Sequence, residues 1–223
     1  MTPQDRLAAH LQSWLGAWPP PPGQLQVIGS RQRVQPGWDG SVRPVAGVAT
    51  TDGAVLSVPP AFVDAVAALG DDLALVGAGL AEALDRPGWV FGRGVFRWSG
   101  EPTPSDDPGV WLPTDDPRVP EWLRPFNGDV LVGFAGDEAA AGVGRKIHDA
   151  FGHELAVVTE EGHRGQRWAQ RLVTQAARRV LADGAVPTYL HAPGNVASAR
   201  TAVASGFADI GWHVLGLFGG APG

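Results

Sequence analysis

Apolar residues recur along this chain at two periods, and the change of period locates its elements. Between residues 165 and 181, Trp168, Ala169, Leu172, Val173, Ala176, Ala177, Val180 and Leu181 fall at i, i+3, i+4 and i+7, separated by Gln166, Arg167, Gln170, Arg171, Thr174, Gln175, Arg178 and Arg179. That spacing predicts a helix with one stripe on a sheet and the other in water, ended by Asp183-Gly184. Residues 129–134, 142–148 and 154–159 before it, and 186–191 after it, read as strands. A short helix over 195–205 and a closing strand pair around 212–218 follow. The succession of three strands, helix, strand, helix, strand predicts a mixed α/β layer fold.

The first hundred residues carry a weaker pattern. A helix over 3–15 stops at Gly16 and a stiff run of prolines, Pro19 to Pro22. Short strands are expected over 27–30, 42–50 and 54–58. A helix opens at Pro59-Pro60 and runs through Leu69, a second covers 73–84, and 89–98 alternates as a strand. Between Glu101 and Glu121, six acids stand against Arg118 alone and six prolines interrupt the chain, so this stretch reads as a connector that joins elements more than it forms them. The expected division is an N-terminal α/β region over 1–100, a Pro-rich acidic connector over 101–127 and a core over 128–218.

Composition narrows the function. No cysteine means no thiolate nucleophile, disulfide framework or Cys-ligated metal, and a net charge of −6 argues against a nucleic-acid binder. The N-terminal residues scatter Asp5, Arg6 and His10 where a secretory segment is apolar, and no long apolar run exists, so a cytoplasmic protein without membrane contact is expected. Lys146 is the only lysine, a bias that mostly reflects a GC-rich genome. The histidines have no metal-ligand spacing, Val76-Gly77-Ala78-Gly79 lacks the third glycine of a dinucleotide fingerprint, and Gly142 and Gly144 signal a bend or close packing.

The stretch VVTEEGHRGQRWA, residues 157–169, runs strand, polar turn, glycine, helix start. Unpaired N–H groups of a first helical turn form a site for phosphate oxygens. Here Arg164-Gly165-Gln166-Arg167-Trp168-Ala169 resembles the acetyl-CoA-binding motif of the GNAT N-acetyltransferase superfamily, Arg/Gln-x-x-Gly-x-Gly/Ala. Downstream, Asn195 after Tyr189-Leu190-His191, with Gly206-Phe207 eleven residues later, is similar to a second motif of that superfamily. The resemblance covers residues 128–217. It implies an α/β (α+β) fold with a mixed central sheet flanked by helices, preceded by an N-terminal α/β extension or a degenerate second GNAT-like domain.

It further implies acetyl-CoA as co-substrate, entering where strands 154–159 and 186–191 part. Backbone groups of Val157, Val158 and Thr159 would pair with the pantetheine amides and polarise the thioester. The N–H groups of Gly165, Gln166, Arg167, Trp168 and Ala169 would hold the pyrophosphate, with Arg164 beside it. Asn195 reads equally as a cofactor contact and a helix N-cap. A primary amine of a small molecule or peptide would attack directly, its proton taken by Glu154, with His153 the alternative because strand neighbours face opposite ways. Two positions depart from the pattern. Arg167 replaces a glycine, and Ala202 stands where many members carry a tyrosine that protonates the leaving thiolate. A GNAT-fold acyl-CoA-binding or sensor protein with weak or no catalysis is therefore the alternative. No metal is expected, a homodimer is left open, and the acidic connector would attract a cationic amine.

Overall fold

The computed structural model describes residues 1–219. The chain divides into two compact units, one of residues 1–10 and 97–210, the other of residues 11–96 and the segment from Gly211 onward. No helix among the described residues is long and apolar enough to cross a membrane.

Helix α1 (Pro3–Leu15) opens the chain. The unit of residues 11–96 then contains β1 (Leu25–Gly29), β2 (Ala46–Ala49), β3 (Ala54–Val58), α2 (Val63–Ala67), α3 (Leu73–Ala83) and most of β4 (Val90–Trp98). The last strand of the chain, β10 (His213–Phe218), pairs antiparallel with both β2 and β4, giving the order β1-β3-β2-β10-β4. Val45, Leu56, Val58, Val66, Val76, Leu80, Leu215 and Leu217 form its apolar core. Where one helix was expected over 59–69, a 3-10 turn (Pro60–Phe62) precedes a short α2, because Phe62, at φ −112° and ψ +3°, leaves the helical region between them. Strand β2 is also shorter than the expected 42–50, since Pro44 removes a ladder donor upstream, and residues 212–218 form one strand rather than a pair.

The unit of residues 97–210 holds β5 (Gly109–Leu112), β6 (Val130–Ala135), β7 (Glu138–Ile147), β8 (Gly152–Thr159), α4 (Trp168–Ala182), β9 (Val186–His191) and α5 (Val196–Ala204). Its sheet runs β9-β8-β7-β6-β5, with β8 and β9 parallel and the other neighbours antiparallel. The apolar stripe of α4, Leu172, Val173, Ala176, Ala177 and Val180, is fully buried against Leu131, Val143 and Leu155 of the strands and against Tyr189, Ala202 and Phe207. Each such aliphatic side chain contributes roughly 1.5–3 kcal/mol on burial. On β7, a Cβ at Gly142 would meet Leu123 and Trp122 and one at Gly144 would meet Phe126, so these glycines provide close packing rather than a bend.

The connector forms more than expected. Residues 109–112 make strand β5, with Pro108 and Pro113 just outside its ladder, and Gln175 of α4 both accepts from Gly109 N (2.9 Å) and donates to Gly109 O (3.0 Å). Asp106 pairs with Arg171, and Asp107 with Arg178. The polar stripe of α4 therefore does more than face solvent, because two of its arginines hold the acidic connector along the helix.

Candidate functional site

Strands β8 and β9 pair only from Gly152↔Val186 to Glu154↔Thr188. Beyond Glu154 they part, and a cavity of about 720 Å³ is lined by Val157, Val158 and Thr159 on β8, by Tyr189 on β9, by the loop and first turn of α4, and by the inward face of α5. Of the residues expected from the sequence, Val157, Val158, Thr159, Arg164, Gly165, Arg167, Trp168, Ala169 and Asn195 line it. Gln166 does not. It is exposed, and its amide donates to Gly162 O at 3.4 Å.

The loop before α4 has a backbone fixed by two left-handed residues. Gly165 has φ +77°, with nothing within 4 Å of a Cβ built there, so only its conformation demands glycine. Arg167 has φ +63° and ψ +17° and is the N-cap of α4, with no side-chain hydrogen bond to the helix. Two successive interruptions of this kind explain why α4 begins at Trp168 rather than at 165. Its first-turn N–H groups have no intrahelical acceptor and carry the positive end of the helix dipole toward the cavity. His163, Arg164, Arg167 and Arg200 stand on the wall, and no carboxylate is among the lining residues. Opposite, Asn195 caps α5, its Oδ1 accepting from Ser198 N at 3.0 Å. The site can thus accept a multiply anionic group at one end and a chain-like group between the parted strands.

Three polar lining residues had no role expected from the chain, Tyr189 among them because it stands on a strand and not on the helix of Ala202. Tyr189 is 2% exposed, with its hydroxyl 2.9 Å from Ser198 Oγ, and Thr201 lies one turn beyond Ser198. The only signal for them was polar Ser198 and Thr201 at i+3 spacing after Asn195 in an otherwise small-residue helix. Burial, the largest influence on the Tyr189 phenol, raises its pKa above the ordinary value, against smaller lowering by Ser198 and Arg97. Arg97, buried, donates from Nε to His191 Nε2 (3.0 Å) and from its other nitrogens to Phe207 O (3.1 Å) and Asp209 (2.9 Å), while His191 Nδ1 faces Ala192 O. This clamp fixes the end of β9 next to Tyr189.

Glu154 and His153 do not line the cavity. Glu154, 7% exposed, is the last β8 residue paired with β9, and its carboxylate is held by Lys146 and by His148 Nε2 at 3.2 Å. Burial, the largest influence on it, raises its pKa, but the hydrogen bond from His148 and the charge of Lys146 outweigh this and leave it below the ordinary carboxyl value. His153 points to the opposite face, toward Arg145. Its Nδ1 is buried without a hydrogen-bond partner among the described residues, and burial, followed by the charge of Arg145, lowers its pKa to about 4.

The sequence matches the model of the acetyltransferase (GNAT) family over residues 94–207. No curated protein matches it. Among solved structures, a GNAT-family protein from Novosphingobium aromaticivorans DSM 12444 is 22% identical, with 60% of this chain and 69% of that one covered and a TM-score of 0.51. An acetyltransferase of the same family from Colwellia psychrerythraea is 14% identical over 63% of this chain and 61% of that one, with a TM-score of 0.45. The family match spans β4 through α5 and so contains the parted strands, the α4 loop and Asn195, and the chain belongs to the GNAT acetyltransferase family.

Proposed function

We propose that the protein moves the acyl group of acetyl-CoA or a related acyl-CoA directly to a primary amine. The observation that carries this reading is the opening between β8 and β9, which ends at an uncapped helix N-terminus and three arginines with no carboxylate among the lining residues. The first-turn N–H groups of α4, with Arg164 and Arg167, suit a pyrophosphate. Of Val157, Val158 and Thr159, the backbone groups turned away from β7 suit the amides of a pantetheine arm and the developing oxyanion of the thioester. Glu154 stands at the apex of the opening. With His148 on its second oxygen, the pair is the proposed acceptor of the amine's proton, Glu154 fixing the imidazole and stabilising its cation. The acceptor is a small-molecule or peptide amine.

Binding and turnover test the two halves of the reading separately. Acetyl-CoA at a hundredfold excess over Kd stabilises a native-only binder by about 2.7 kcal/mol, a rise in Tm of about 5–10 °C for a chain of this size. No rise refutes the acyl-CoA site. A rise with no thiol release from acetyl-CoA across polyamines, aminoglycosides, amino acids and peptides refutes the transferase and leaves an acyl-CoA-binding protein.

A further inference from the structure

Aminolysis of a thioester leaves sulfur with the bonding electron pair, and a proton donor at that sulfur lowers the barrier. Position 202 of α5 offers none, since Ala202 is fully buried in the apolar cluster beside α4. Directly across, β9 carries the only tyrosine of the chain one residue past its last pairing with β8, where the strands have begun to part. The Tyr189 ring packs on Phe207 (centroids 5.7 Å apart) and on the clamped His191 (6.3 Å), so the phenol is held in the cavity wall rather than swinging freely. Among the described residues its hydroxyl is hydrogen-bonded to that of Ser198, which also lines the cavity.

We propose that Tyr189 is the catalytic acid for the leaving sulfur, with Ser198 as its relay to solvent, an assignment that rests on reading the cavity as the acyl-CoA site. The amine nitrogen bonds to the thioester carbon, the C–S bond breaks, and the sulfur takes the phenol proton with its electron pair. The phenolate recovers a proton from water through Ser198, and the acylated nitrogen gives its surplus proton to the His148–Glu154 pair, so one thiol and one amide result. The elevated pKa of Tyr189 keeps the phenol protonated, and so a hydrogen-bond and proton donor, as negative charge develops on the sulfur.

The test needs no acceptor. Affinities of CoA and of desulfo-CoA, which lacks the thiol, are measured by calorimetry near the thiol's own pKa of about 8.5 for the wild type, Tyr189→Phe and Ser198→Ala. The wild type is expected to prefer CoA by about tenfold, the size of one charge-assisted hydrogen bond, and Tyr189→Phe by less than about twofold. Because Tyr189 is the single tyrosine, tyrosinate absorbance titrates it alone. CoA is expected to shift that titration upward, desulfo-CoA to leave it in place, and Ser198→Ala to move it in the unliganded protein. Tyr189→Phe that binds both ligands with the wild-type preference, or a wild-type titration indifferent to the thiol, overturns the acid and spares the acyl-CoA site. A wild type that binds neither ligand overturns both.

Discussion

At the scale of single residues, the cavity stores strain at the turn proposed to bind phosphate. Arg167 occupies the left-handed region, which costs an L-residue with a Cβ roughly 1–2 kcal/mol relative to glycine. Arg167→Gly is therefore expected to raise thermal stability by about 2–4 °C while weakening CoA binding severalfold. Arg167→Ala should weaken binding equally without the gain in Tm. Calorimetry with thermal unfolding on both variants separates conformation from charge, and a stability loss in Arg167→Gly would contradict the strain. His153 supplies a second residue-level test. Its folded pKa of about 4 lies below the 6.5 of an unperturbed histidine, so the unfolded chain takes up the proton first as pH falls. Its contribution is present above pH 6.5 and is lost toward pH 4, with a slope of at most about 1.4 kcal/mol per pH unit. Urea unfolding of His153→Gln should show a shallower decline than wild type across that window.

At the scale of elements, the attachment of the connector to α4 separates strong contacts from weak ones. The ion pair of Asp106 with Arg171 is on the surface and screened by solvent, so Arg171→Ala should barely change the urea midpoint. Gln175, 9% exposed, completes both hydrogen bonds of the Gly109 backbone, and Gln175→Leu leaves those groups unpaired at a cost of about 1–3 kcal/mol. Equal losses in the two variants would refute this division. The same elements show what the sequence could display. The stripe of α4 was legible because a 3.6-residue period survives seventeen residues, and the β8-to-α4 turn because glycine and a helix start are local signals. Strand β5 was not, since four residues between prolines have no period of their own and exist through the ladder with β6. Nor was the role of Tyr189, because it depends on where β8 and β9 stop pairing, and a parallel register across an intervening helix leaves no local mark.

Over the whole molecule, charge acts in two opposing senses on a polyanionic co-substrate. The chain carries a net charge of −6, which repels such a ligand at long range, while Arg164, Arg167 and Arg200 attract it at the cavity wall. At about 0.1 M salt the Debye length is about 10 Å, so charges distributed over the remote surface are screened well before those on the wall that the ligand approaches. A cavity with low-dielectric walls further concentrates the field of the cations that line it. The local sign should therefore govern association at physiological ionic strength. Stopped-flow binding of CoA between about 0.05 and 0.5 M salt is expected to show an on-rate that falls as salt rises, with Arg200→Ala flattening the dependence. An on-rate that climbs with salt would mean that the global negative charge dominates the encounter, and that the cationic wall acts only after the ligand is seated.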